Sequence, residues 1–406
     1  MSMRTWLTSL FLGLGSLAFF LAGISKPPSV YFDEKLYVDA ANAVVTGAPD
    51  PSPYGPPLGK LMIAASIAIS GNNSFGWRWP SAVCGALTAV AVFLFLLLLL
   101  DDYTLALTGA GLMLLNNFVF VFSRTAMMDI FLVAFAMWGL LAFVAALKVD
   151  QLETSTRRAV TAFSGIMFGC SMACKWNGVD QLAVVLVLGV ILFWWSKRLG
   201  DSDLARCREN LQQAGWVWFA ISFLVLPAVT YLATFWPLFR SQRIPFTLAT
   251  LVSANAFIWQ FHRAVVGNTG LIVPWYKWPF MTQPTRALSY LVGNWFVMWA
   301  GILALLYCLR RFARSLPETL IVSLYVVNML QWIVTPQPCV FYYYYFPAAM
   351  FVGMAIPAAL HRLPARYFGV RLSVASLLPA FCIFAYCFAH MAHLGAPFDI
   401  MLGYWP

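Results

Sequence analysis

Apolar runs of about twenty residues recur along the whole chain, and that repetition limits the fold before any motif is considered. A helix needs roughly 20 consecutive apolar residues to cross a hydrocarbon core. Inside that core every backbone N–H and C=O must be paired, which only helices and closed barrels achieve. Eleven runs are expected as transmembrane helices, at 5–24, 79–100, 104–122, 127–147, 160–174, 179–195, 216–238, 288–308, 318–335, 342–360 and 372–393. Charged residues make up 10% and hydrophobic ones 62%, against about 25% charged in soluble domains. A soluble globule and a disordered chain are both excluded. The expectation is an all-α polytopic membrane protein, one transmembrane unit over 1–406 with no internal repeat, low-complexity tract or separate soluble domain. Met1 to Ile24 has one Arg, a long apolar run and no small-residue cleavage pattern, so it is expected as a retained first span. The eight cysteines lie mostly in apolar runs without a CxxC; they suit buried small hydrophobes, with no disulfide framework implied.

The net charge of +10 would suit a nucleic acid, but in a membrane protein it must first be tested as an orientation signal. The run Leu58–Ser70 is too short for a span and fits an interfacial or re-entrant helix. If it does not cross and the N-terminus is cytoplasmic, the cytoplasmic side holds Arg4 and the basic residues of 148–158, 197–208, 310–314 and 362–371. That is fourteen of the 25 Lys and Arg, all in short loops. A crossing at 58–70 would move thirteen of them outside, so the non-crossing arrangement is favoured. Nucleic acid is then not needed to explain the charge. Two long outer segments remain, 25–78 and 239–287, and a functional site is expected at this outer face.

Few polar groups stand out against this background. Asp33-Glu34 sits just beyond the first span, where Asp33 could act as a general base with Glu34 one position round the helix. Acids at a helix start also simply complement the macrodipole. Tyr54-Gly55-Pro56-Pro57-Leu58-Gly59-Lys60 makes a rigid entry to the short helix and puts Lys60 near the headgroup plane. Arg124 and Asp129 flank the third and fourth spans; ionisable groups there suggest either function or a mutual ion pair. Lys175 is a lone cation in the tight 174–178 connection, placed to meet an anion or to anchor beside Trp176. Pro274-Trp275-Tyr276-Lys277-Trp278-Pro279 and Tyr342-Tyr343-Tyr344-Tyr345 suit a sugar or phosphate cavity, or equally an aromatic belt. His390 and His393 form an HxxH without an evident third ligand except Asp399. One acidic pair plus several cations on one side is what sugar transfer from a lipid phosphate requires: a base for the acceptor hydroxyl, and cations for the anionic leaving group.

With these residues placed, the chain resembles the protein O-mannosyltransferases and other polyprenyl-phosphate-sugar-dependent glycosyltransferases of the GT-C fold. The resemblance rests on Phe32-Asp33-Glu34 with Tyr37, Pro56-Pro57-Leu58-Gly59-Lys60, and Gly76-Trp77-Arg78 with Pro80-Ser81 and Gly85. It continues through Ser123-Arg124 with Asp129, Lys175-Trp176 with Gly178, Trp278-Pro279-Phe280 with Gly293-Asn294, and Tyr344-Tyr345-Phe346-Pro347-Ala348. The set occurs in family order over most of the chain.

The resemblance implies a multi-pass enzyme of the bacterial inner (plasma) membrane, working on the periplasmic side. It would move a sugar, mannose or a similar hexose, with inversion, from a polyprenyl-phosphate donor to an acceptor hydroxyl. By carry-over Asp33 is the base, with Glu34 supporting it or positioning the acceptor. Arg124 and Lys175 contact the donor phosphate, Asp129 orients Arg124, and Trp278 and Tyr344 line the donor cavity, with Lys60 and Tyr345 in support. No cofactor is certain; Asp33, Glu34 and Asp129 could recruit a divalent cation, though nothing in the sequence forces it. Where family members carry Asp-x-His before Pro-Pro-Leu-Gly, this chain has Ser52-Pro53-Tyr54-Gly55. That departure opens a glycolipid, lipid A or surface polysaccharide as acceptor beside protein Ser/Thr. A lipid or small-molecule transporter would instead favour inverted repeats and midplane charges, which this sequence does not display.

Overall fold

The computed structural model describes residues 2–30, 33–195, 202–264, 272–281, 293–335, 340–363 and 366–393. Among these there is no β-strand, only an isolated antiparallel bridge between Ile272 and Phe341. The first helix, α1 (Met3–Leu21), starts at Ser2, whose hydroxyl accepts from the Thr5 N–H. Two short helices follow, α2 (Glu34–Thr46) and α3 (Leu58–Ser70); α2 stops at Gly47, whose φ of 70° suits a residue without Cβ. The long α4 (Ser74–Leu100) is capped by the Asn73 side chain. Next come α5 (Tyr103–Leu114), α6 (Asn117–Phe122), α7 (Met128–Lys148), α8 (Thr154–Cys174) and α9 (Val179–Val190). The chain then forms α10 (Ser202–Ala214), α11 (Trp216–Ala220), α12 (Leu226–Ala233), α13 (Phe235–Ser241) and α14 (Leu248–Ala264). The remainder is α15 (Trp295–Leu309), α16 (Leu316–Val334), α17 (Phe346–His361), α18 (Arg366–Ala375) and α19 (Leu377–His393).

Eight of the described helical stretches are long and apolar enough to cross a membrane: Met3–Leu21, Ser74–Leu100, Met128–Lys148, Trp176–Trp194, Trp216–Ser241, Leu316–Val334, Tyr342–His361 and Phe368–Phe388. Each falls on one of the eleven expected spans. The other three expected spans are helical but differ in kind. The 104–122 run is broken at Leu115 and Asn116, because the Asn116 side chain accepts from Phe118 N–H and starts a new helix. The 160–174 run lies in α8, which also carries Arg157 and Arg158. Of the 288–308 run, residues 288–292 lie outside the described residues and α15 covers 295–308.

Small residues let the helices approach closely where lipid offers no other driving force. A Cβ on Gly165 in α8 would lie 1.7 Å from the Ser222 carbonyl oxygen, and one on Gly301 in α15 would lie 2.4 Å from that of Val352 in α17.

What positions the site is the way helix ends meet. The Ser74 hydroxyl donates to the carbonyl of Ser25, so α1 ends and α4 begins at the same end of the bundle. The two short helices α2 and α3 lie between them there. Side-chain bonds described below bring the start of α7, the end of α8 and the Tyr342–Tyr345 turn before α17 to this same end.

Candidate active site

Asp33 stands immediately before α2 but makes no side-chain cap to it. Its carboxylate instead accepts a 2.8 Å hydrogen bond from the Tyr343 hydroxyl. The carboxylate lines a cavity of about 400 Å³ together with Tyr37, Tyr54, Lys175, Asn177, His262, Gln331, Trp332, Tyr343 and Tyr344. The two outer segments and the ends of α8 and α16 thus contribute to one chamber. Burial pushes the Asp33 carboxyl above its ordinary range, partly offset by the Tyr343 hydrogen bond and the Lys175 charge, while Asp129 pushes it further up.

Lys175 lines the same cavity. It follows the last residue of α8, and its ammonium donates to Asp129 Oδ1 at 2.8 Å. It also lies 4.4 Å from the ring centre of Tyr344 and 5.7 Å from that of Tyr343. Burial disfavours its charged form, but Asp129, Tyr344 and Asp33 overcome this and hold it above the ordinary lysine range. Asp129 is 1% exposed, and its Oδ2 has no hydrogen-bond partner among the described residues. His262, on α14, leans on Trp176 with ring centres 6.0 Å apart. Burial and the Lys175 charge lower its pKa, favouring the neutral ring.

Several expected placements are revised. Glu34 is fully buried away from the cavity: both its oxygens accept from Arg78, at 2.8 and 2.9 Å, and Oε1 also accepts from the Ala126 N–H at 2.8 Å. Arg78 donates in addition to the carbonyls of Ile24, Pro27 and Ser29. Glu34 and Arg78 therefore bind the first outer segment to α4 and to the turn before α7. Arg124 does not reach the cavity either. Its guanidinium donates to the carbonyl of Phe20 at 2.7 Å, where the end of α1 carries negative partial charge. Asp129 is paired with Lys175.

Lys60 is 1% exposed; it pairs with Asp50 at 2.9 Å and with the Ser52 carbonyl, pinning the segment before α3. Trp278 is 0% exposed and sits behind the wall, edge-on to Trp332 at 5.3 Å. Tyr345 packs on Phe118, Trp278 and Tyr342, whereas Tyr344 does line the cavity, stacked on Trp332 at 5.2 Å. Tyr37 and Tyr343 lie in motifs that the sequence marked, without an individual role, and Asn177 lies in the marked 174–178 connection; Gln331 and His262 were given no role from sequence. Phe32, Pro336, Gln337, Pro338, Cys339, Asp399 and the side chains of His390 and His393 lie outside the described residues.

Removing one member of a buried ion pair strands the other. Arg78→Met is expected to cost about 3–5 kcal/mol, read as a lowered thermal unfolding midpoint and reduced yield of folded protein in detergent. Among the described residues no group of three or more His, Cys, Asp or Glu is placed to hold a metal ion. Of the three acids that could recruit a divalent cation, Glu34 is engaged by Arg78 and Asp129 by Lys175.

Comparison with known proteins adds to this geometry. A family model described as dolichyl-phosphate-mannose-protein mannosyltransferase matches residues 56–241. The polyprenol-phosphate-mannose–protein mannosyltransferase of Mycobacterium tuberculosis is 26% identical over 429 aligned positions, covering 86% of this chain and 78% of that protein. The fold is similar to that of the S. cerevisiae Pmt1-Pmt2 protein O-mannosyltransferase complex bound to the sugar donor. That match has a TM-score of 0.78 and 13% identity, over 95% of this chain and 90% of the other. It is also similar to ArnT from Cupriavidus metallidurans bound to undecaprenyl phosphate, with a TM-score of 0.63 and 15% identity over 96% and 64% of the two chains.

Proposed function

We propose that this GT-C glycosyltransferase, a relative of the protein O-mannosyltransferases, moves a mannosyl group from a polyprenyl-phosphate carrier to a Ser or Thr hydroxyl of a protein. The reaction inverts the anomeric carbon and takes place on the periplasmic face of the bacterial inner membrane. The observation that carries the reading is that Asp33 and Lys175 line one aromatic-rich cavity. The named activities of the relatives support mannose and protein as donor sugar and acceptor class. The distribution of Lys and Arg supports the periplasmic placement, since the short loops opposite this end are the basic ones.

In this mechanism the acceptor hydroxyl attacks C1 of the sugar from the face opposite the phosphate. The new O–C1 bond forms as the C1–O bond to the phosphate breaks. Asp33 takes the hydroxyl proton; Tyr343 holds its Oδ2 and so aims Oδ1 at the acceptor. Lys175 receives the charge that develops on the departing polyprenyl phosphate, and Asp129 holds Lys175 in place. Glu34 and Arg78 act at one remove, by fixing the backbone that carries Asp33. Arg124 likewise secures the end of α1.

The base must be ionised, so the rate rises as pH rises through the Asp33 pKa, which lies above the ordinary carboxylate value. Tyr343→Phe removes a hydrogen bond that lowers that pKa, so the acid limb of the kcat/KM profile is expected to move to higher pH. An unmoved limb would contradict the Asp33 assignment. Supplying purified protein in liposomes with labelled polyprenyl-phosphate mannose and a Ser/Thr-rich peptide tests the acceptor. Label on the peptide supports the reading; label confined to the lipid fraction would point to a glycolipid acceptor.

A further inference from the structure

We infer that Asn177 and Gln331 form the subsite that reads the hydroxyl groups of the donor sugar. This rests on the proposed function and assigns residues for which that mechanism has no use. Asn177 Nδ2 donates to Gln331 Oε1 at 2.8 Å, and both side chains line the same cavity as Asp33 and Lys175. One turn away, Gln181 Nε2 donates to Asn328 Oδ1 at 2.9 Å. Gln181 and Asn328 are 1% and 2% exposed. The sequence spacing makes these two rungs of one ladder: 177 and 181 lie on one helical face, as do 328 and 331.

The lower rung is sealed between α9 and α16 and fixes their register. The upper rung opens on the cavity, where the Asn177 Oδ1 and one Gln331 N–H keep capacity for a ligand. Gln331 Nε2 is steadied by the Asn328 carbonyl at 3.2 Å. Amide groups that both donate and accept, held rigidly beside an aromatic plane, match a hexose: hydroxyls at its rim and C–H bonds on its face. Trp332 and Tyr344, stacked on each other with rings 11° from parallel, border the amide pair in the same cavity. Lys175 lies two residues before Asn177 and lines the same cavity, so a sugar bonded to the amide pair keeps its anomeric phosphate in the lysine's neighbourhood.

A site built to bond a hydroxyl rejects an analogue that lacks or misplaces it, because its own amides are then left unpaired. The test compares wild type with Gln331→Leu and Asn177→Leu on polyprenyl-phosphate mannose, polyprenyl-phosphate glucose and the 2-deoxy donor. Inhibition by polyprenyl phosphate alone serves as the control for folding and for the phosphate site. The expected result is a fall in kcat/KM for the preferred hexose of about ten- to a hundredfold. Loss on the other two donors should be smaller, narrowing the preference, while the polyprenyl-phosphate inhibition constant stays unchanged. Unaltered donor preference with equal losses on all three donors would overturn the assignment, and so would weakened polyprenyl-phosphate inhibition as the sole effect. If wild type transfers from none of the donors while still binding polyprenyl phosphate, the glycosyltransfer reading itself fails, which is a distinct outcome.

Discussion

Asp33→Asn should lower kcat for sugar transfer by about 10²–10⁴ and leave the affinity for polyprenyl phosphate nearly unchanged. The substitution keeps the side chain's size and lets the Tyr343 hydroxyl still donate to an amide oxygen, so the cavity wall is expected to survive. What disappears is the proton acceptor. Because the carboxyl carries a desolvation penalty in its ionised form, replacing it with a neutral amide should leave thermal stability unchanged or raise it slightly. A variant that is inactive yet at least as stable as wild type is therefore the signature of a base held in an unfavourable environment. Glu34→Gln gives the contrast. It weakens the buried pair with Arg78, so its loss of activity should follow a loss of folded protein.

Lys175→Gln is the second large effect. It removes the cation facing the leaving phosphate, and such electrostatic stabilisation is worth about 10²–10³ in kcat. It also strips Asp129, 1% exposed, of its ionic partner. The variant should thus lose both donor affinity and stability, since an uncompensated buried charge costs about 3–5 kcal/mol. The double variant Lys175→Gln, Asp129→Asn separates the two. It should recover most of the stability, because no lone charge remains, and recover none of the activity. Thermal unfolding and steady-state kinetics on the same preparations decide it. Activity restored along with stability would show that Lys175 matters only as the partner of Asp129.

Much of the architecture was legible because membrane helices are written in apolarity. All eight of the long apolar helices fall on expected spans. The break at Asn116 was not legible from hydropathy, since Leu114, Leu115 and Phe118 keep the run apolar; its signal was the Asn116-Asn117 pair, an N-cap in an apolar context. At the site, the sequence marked the right neighbourhoods but not the division of labour. Asp33 and Glu34 are adjacent, and neighbouring side chains at a helix start point about 100° apart. One therefore faces the cavity and the other the α4 interface with Arg78. Which cation Asp129 holds depends on how α7 meets α8, and spacing carries no record of that. Trp278 and Tyr345 were chosen for their chemistry and lie just behind the surface that Trp332 and Tyr344 present. The Asn177–Gln331 pair links residues 154 apart in sequence, a distance at which an amide pair leaves no local pattern.

The most direct measurement is mass spectrometry of a Ser/Thr-rich acceptor peptide after incubation with polyprenyl-phosphate mannose and purified protein in liposomes, wild type beside Asp33→Asn. The account predicts one added hexose on Ser or Thr with wild type and about 10²-fold less or more extreme loss with the variant. Equal hexose addition by the two proteins would contradict the placement of the reaction at Asp33 and Lys175.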